Sequence, residues 1–195
     1  MFYAVLFFIF AAVLGTALRD TLWCNTLKLF NVIFAGLAAS SLGPVLAHTM
    51  RTLWGSRAFY FNFLALWFVF WIVCGLLQTA TNKLSRVKVK FNPKVNLYGG
   101  YVAALLLALT FLSFSIFTMH QAPLAEKFMF KGFNSNGMMT GAWYNFYAYV
   151  GGGAMAGSNE AKSFDEYRRG CDEFRRTLEK HVEATGTTAS EMTFK

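Results

Sequence analysis

Residues 29–50 read LFNVIFAGLAASSLGPVLAHTM, 22 positions without a Lys, Arg, Asp or Glu. About 20 apolar residues in a helix cover the roughly 30 Å hydrocarbon core of a bilayer. Lipid offers no partner to an open backbone, so a stretch of this kind must be a helix or part of a closed barrel. A barrel strand would alternate apolar and polar residues, and this stretch does not. It predicts a membrane helix over about Leu29–His48. Ala35, Ala39, Gly43 and Ala47 recur at four-residue spacing, with Gly36 and Ser40 on the adjoining row. Small side chains so spaced let two helix backbones approach closely. Pro44 removes a backbone donor near the end and is expected to kink the last turn.

Three more uncharged stretches flank it: Met1–Leu18 (18 residues), Ala58–Asn82 (25) and Val95–Ala125 (31). The expected fold is an all-α integral membrane protein with four transmembrane helices. The third helix, about Phe59–Thr81, is crowded with bulk such as Phe61, Phe63, Trp67, Phe68, Phe70 and Trp71, which suits a lipid-facing surface. The fourth, about Leu97–Met119, carries Gly99, Gly100, Ala104 and Ala108 as a second small-residue stripe. The second and fourth helices are therefore expected to pack on each other through Gly36, Ala39 and Gly43 against Gly99, Gly100 and Ala104. The first stretch has no Lys or Arg ahead of its apolar run and only a weak cleavage match at Gly15-Thr16-Ala17, so a retained helix is expected over a signal peptide.

The net charge of +8 belongs to the membrane portion. Residues 1–120 hold nine Lys/Arg and one acid, Asp20, whereas 121–195 hold nine of each sign. The excess sits in short loops between apolar stretches, so nucleic acid is not an expected partner. The connections 19–28 and 83–94 carry seven positive charges and the opposite side four, which puts both termini outside the cytoplasm. Arg86, Lys88, Lys90 and Lys94, in the KLSRVKVKFNPK connection, are expected at anionic lipid headgroups.

Beyond residue 120 the chain divides into an extracytoplasmic segment (121–157) and a tail (158–195). GAWYNFYAYV at 141–150 reads as a short aromatic segment on the outer membrane surface, with Trp143 a candidate partner contact. Gly151–Gly157 reads as a hinge. Ser163 and Glu166 form a capping box that opens an amphipathic helix. Phe164, Tyr167, Cys171, Phe174 and Leu178 then step by three and four along one side. Phe164, Tyr167, Phe174 and Leu178 are expected to meet a protein partner or a second copy, or else to pack on their own domain. Residues 187–195 are expected to be disordered.

No catalytic, cofactor-binding or metal residues are expected. No acid or base lies inside a span, which disfavours coupled transport. His48 and His120 lack a third ligand, and the three cysteines have no CxxC or Cys/His spacing. A G-x-S-x-G motif and a P-loop are both missing. Asn31, Asn62 and Gln78 are expected to bond between helices.

The layout resembles the colicin V production (CvpA) family of bacterial inner-membrane proteins over about residues 1–150. The matching features are the turn Leu18-Arg19-Asp20-Thr21-Leu22 and the approach to the fourth helix, Asn96-Leu97-Tyr98-Gly99-Gly100, continuing to Ala104 and Ala108. Trp143-Tyr144-Asn145-Phe146 matches the family's closing aromatic stretch loosely. Asn96 stands where the family has an acid, alanines replace two of its glycines, and the 160–186 helix is an addition. The resemblance implies a non-enzymatic envelope protein linked to colicin production and stress tolerance, acting through helix packing and partner contacts. An accessory subunit of a larger complex, or a small pore with Asn31, Thr110, Ser113 and Thr118 as a thin polar lining, is the alternative.

Overall fold

The computed structural model describes residues 2–54, 61–84, 92–122, 141–154 and 164–185, and every element among them is a helix. They are α1 (Phe2–Ala17), α2 (Leu22–Trp54), α3 (Phe61–Leu84), α4 (Pro93–His120), α5 (Ala142–Ala154) and α6 (Phe164–Thr185). Three of them, α2, α3 and α4, are long and apolar enough to cross a membrane. The apolar α1 has 16 residues, about 24 Å of helix, short of the roughly 30 Å core. Spanning length is thus reached by three helices where the sequence predicts four.

The second helix starts at Leu22, well before the uncharged stretch, because its first turn is capped twice. Thr21 Oγ1 accepts from the Cys24 N–H at a long 3.5 Å, and Asn96 Oδ1, from α4, accepts from the Leu22 N–H at 3.1 Å. Both satisfy donors that a helix start leaves open. The helix continues past Pro44 to Trp54 as a single element. Its start draws Lys28 into the helix, where the ammonium pairs with Asp20 at 2.5 Å.

α3 lies antiparallel to α2. Gly43 faces Leu66, and Asn31 Nδ2 donates to Thr81 Oγ1 at 3.1 Å and to Gln78 Oε1 at 3.4 Å. Gly43 thus serves the α2–α3 contact, a correction to the expectation that it packs on the fourth helix. The side chain it would need to clear there belongs to α3. α4 runs parallel to α2, with Leu22 against Gly99 and Gly36 near Phe114. α1 returns along α4, where Leu6 clusters with Leu112 and Ile116.

Rings tie the middle together. Phe70 of α3 stacks on Phe114 of α4 at 4.7 Å, and Phe114 meets Trp143 of α5 edge-on at 5.3 Å. The Trp143 ring lies against Gly36 in the groove between α2 and α4, and only 2% of the residue is exposed. Its indole N–H donates to Ser40 Oγ at 3.0 Å. Within the aromatic segment, Trp143 is thus buried in the bundle while Tyr149 stands exposed. The small residues of α2 leave a groove that the indole fills, and its N–H finds a hydroxyl there. Gly151, Gly152 and Gly153 belong to α5, so the hinge expected at these positions is helix instead, and Met155–Gly157 lie outside the described residues.

Candidate functional site

At the end of the bundle near His120, α6 folds back over the last turn of α4 and the start of α5. Tyr167 stacks between Tyr144, at 4.7 Å, and Phe117, at 5.6 Å. Phe164 touches Tyr144 at 5.7 Å and stands edge-on to the buried His120 ring at 5.8 Å. Gln121 Nε2 donates to Tyr167 Oη at 2.8 Å. Aromatic pairs in these arrangements contribute about 0.5–1.5 kcal/mol each beyond the area they bury.

Between α6 and the bundle lies a cleft of about 310 Å³. Pro44 of α2, Asn62 of α3 and His120 and Gln121 of α4 form one wall; Glu166, Tyr167, Gly170 and Cys171 of α6 form the other. Burial raises the Tyr167 hydroxyl well above the usual tyrosine range, and the Cys171 thiol beside it adds to the shift. Tyr144 is raised as well, by burial first and then by Tyr147. Both phenols stay protonated at neutral pH, so the bond from Gln121 to Tyr167 is a neutral one. Among the described residues no group of three His, Cys, Asp or Glu side chains could hold a metal.

A second polar cluster closes the opposite end. Asn25, fully buried, donates through Nδ2 to the Ala17 carbonyl at 2.9 Å and the Gly100 carbonyl at 3.2 Å. One amide thereby joins α1, α2 and α4. Gly100 lies under the α2 start, a methyl placed on it falling 3.5 Å from the Leu22 nitrogen, and Gly99 faces the Leu22 side chain.

Of the predicted packing residues, Gly36, Ala39, Gly43, Gly100 and Ala104 are buried and Gly99 is half-buried. They divide among three partners: α5 for Gly36, α3 for Gly43, and the α2 start for Gly99 and Gly100. Of the predicted headgroup residues, Lys94 is exposed in the first turn of α4, and Arg86, Lys88 and Lys90 lie outside the described residues. Trp143, a candidate partner contact, packs inside the chain, and Phe164 and Tyr167 take the own-domain alternative, because α5 and α6 fold back onto α2 and α4. The side chains of Phe174 and Leu178 lie outside the described residues. Along α6, the half-buried Arg168 pairs with the exposed Asp165 at 3.5 Å.

Asn25, Ser40, Asn96 and Gln121 are hydrogen-bond partners that no sequence pattern singles out. Thr21, a good capping residue just ahead of Leu22, was the available signal that the helix begins early enough to include Asn25. Comparison with protein-family profiles, with curated proteins and with solved structures finds no match for this chain.

Proposed function

We propose that this chain is a bacterial inner-membrane scaffold that crosses the bilayer four times and acts through helix packing and contacts to a protein partner, without chemistry of its own. The observation that carries the reading is the distribution of size across the bundle. Ala35, Ala39, Ala47, Ala104 and Ala108 are fully buried, whereas Phe7, Phe8, Phe34, Phe68, Trp71 and Leu76 stand exposed. Small residues at the helix contacts, beside a ring core of Phe70, Phe114 and Trp143, with large apolar side chains exposed on the outer face, suit lipid as the solvent. As a fourth span, α1 follows α4 from the Ala17–Gly100 level to Leu112 and Ile116, and a thinned bilayer or flanking polar residues accommodate its shortness.

The interior argues against the pore alternative. The Thr110 and Thr118 hydroxyls donate to carbonyls of their own helix, at 2.8 Å each, and the small-residue faces are closed by neighbouring helices. The accessory-subunit alternative amounts to naming the partner as a larger complex. For the CvpA-type reading, Asn96 is informative, because it stands in the family's acidic position and its oxygen caps α2. A carboxylate there would accept the same N–H.

The test has two arms. After alkaline carbonate washing the protein should remain with the membrane, and a photo-crosslinker at Tyr149, which is 85% exposed on α5, should give one protein adduct of defined mass in cells. Liposomes carrying the purified chain should hold a small fluorescent solute as well as empty ones do. Extraction by carbonate would overturn the membrane reading; solute leakage would favour the pore.

A further inference from the structure

Between α2, α4 and α5 a second cleft, of about 270 Å³, opens on the side of the bundle. Ile33, Leu109, Trp143 and Phe146 give it apolar walls, and Thr110 and Ser113 bring two hydroxyls. The Thr110 hydroxyl is already used, donating to the Leu106 carbonyl. Ser113 is 7% exposed, and its Oγ has no hydrogen-bond partner among the described residues. A serine in a helix can always turn to the carbonyl four residues back, as Ser115 does toward Phe111 at 2.8 Å. Ser113 does not, and a buried hydroxyl left so is costly in an apolar setting.

We propose that this cleft binds a hydrocarbon-dissolved molecule with a flat apolar body and a carbonyl oxygen, of the quinone class, whose carbonyl accepts from Ser113. Depth selects the class. Ser113 lies along α4 about 10 Å from His120 and about 10 Å from the midpoint of the helix, inside an element long and apolar enough to span. The ester carbonyls of ordinary phospholipids stay near the headgroup border, about 15 Å from the midplane. A phospholipid chain could fill the apolar volume, but its ester would have to sink about 5 Å below the headgroup border to bring an oxygen to Ser113. Trp143 and Phe146 offer rings beside which a flat ligand can lie, and Phe146, partly exposed, borders the lipid side. The inference rests on the membrane reading of α4 and not on the scaffold role, since a scaffold needs no ligand.

The experiment uses the full chain in nanodiscs, with a decyl-substituted benzoquinone as probe and decylbenzene as its carbonyl-free counterpart. Binding is read as tryptophan quenching by the quinone, and as competition with that quenching by decylbenzene. The quinone should saturate. Ser113→Ala should weaken it about fivefold, the effect of one neutral hydrogen bond, and leave decylbenzene within about twofold. Ala142→Phe, which places a ring at the cleft's edge, should weaken both about tenfold or more. The melting point of ligand-free Ser113→Ala should hold or rise, because the variant removes a buried unpartnered hydroxyl. Quenching that never saturates, or a Ser113→Ala protein that binds the quinone like wild type, would overturn the proposal and leave the cleft to lipid chains. A fall in the melting point of ligand-free Ser113→Ala would also overturn it, by giving the hydroxyl a structural role.

Discussion

Asn25 and Gly36 show how much depends on single positions in a bundle with no hydrophobic drive between helices. Asn25→Leu removes two hydrogen bonds that join three helices and leaves the Ala17 and Gly100 carbonyls without that donor. Against this, it also removes the buried Asn25 Oδ1, which has no hydrogen-bond partner among the described residues. The net loss should be about 1–2 kcal/mol, read from detergent unfolding. Gly36→Ala is more damaging, since the new methyl would overlap the Trp143 ring, which has no flexible end to move aside. The indole must leave its groove, and Trp143 emission should shift to the red in a variant keeping only that tryptophan. Gly99→Ala is the control: it meets only the branched end of Leu22, at 3.0 Å, and should leave emission and stability nearly unchanged.

At the scale of elements, what was legible in the sequence was what lipid dictates. Uncharged runs gave the three long helices, and the small-residue rows marked faces that are indeed buried, because a bilayer punishes an open backbone and rewards close contact. What the small rows face was not legible. Gly36 and Gly43 sit seven residues apart on one helix yet meet α5 and α3, and spacing carries no record of the neighbour. The burial of Trp143 was not legible for a related reason: rings favour the interface on average, but this indole has a hydroxyl partner and a glycine groove and packs inside the bundle. The seam of α6 was visible, though not that Tyr167 would stack on Phe117 and Tyr144. That docking should depend on pH. Tyr144 and Tyr167 titrate later in the folded chain than the usual value of 10.0, so stability is full below that pH. It falls above it, where the unfolded phenols release protons first. The facing groups are Glu166 and Cys171 of α6 and Tyr147 of α5. Alkaline absorbance titration should show two late tyrosines, Tyr167→Phe should remove one, and the loss of melting temperature above pH 10 should become shallower.

For the whole molecule, the surface around α1–α4 decides which solvent the fold is built for. Phe68 is 57% exposed on α3. Phe68→Arg would add a welcome charge to a water-soluble bundle. In a membrane helix it should cost about 2.5–3.5 kcal/mol of insertion, reducing the membrane-integrated fraction in a glycosylation or protease-protection assay. Gain of soluble protein instead would contradict the lipid-facing reading. The Asn25 and Asn96 clamps also set a timetable for biosynthesis. Leu22 obtains its cap from Asn96 and Asn25 reaches Gly100, partners 74 and 75 positions later in the chain. At a synthesis rate of about 5–20 residues per second, the first two helices wait roughly 4–15 s for the segment that locks them. Since α1 packs mainly on α4, a helix made before α2 is secured only after α3. On the proposed four-span reading it depends until then on the insertion machinery, and a nascent chain halted before Pro93 would expose that dependence as an easily degraded segment around α1.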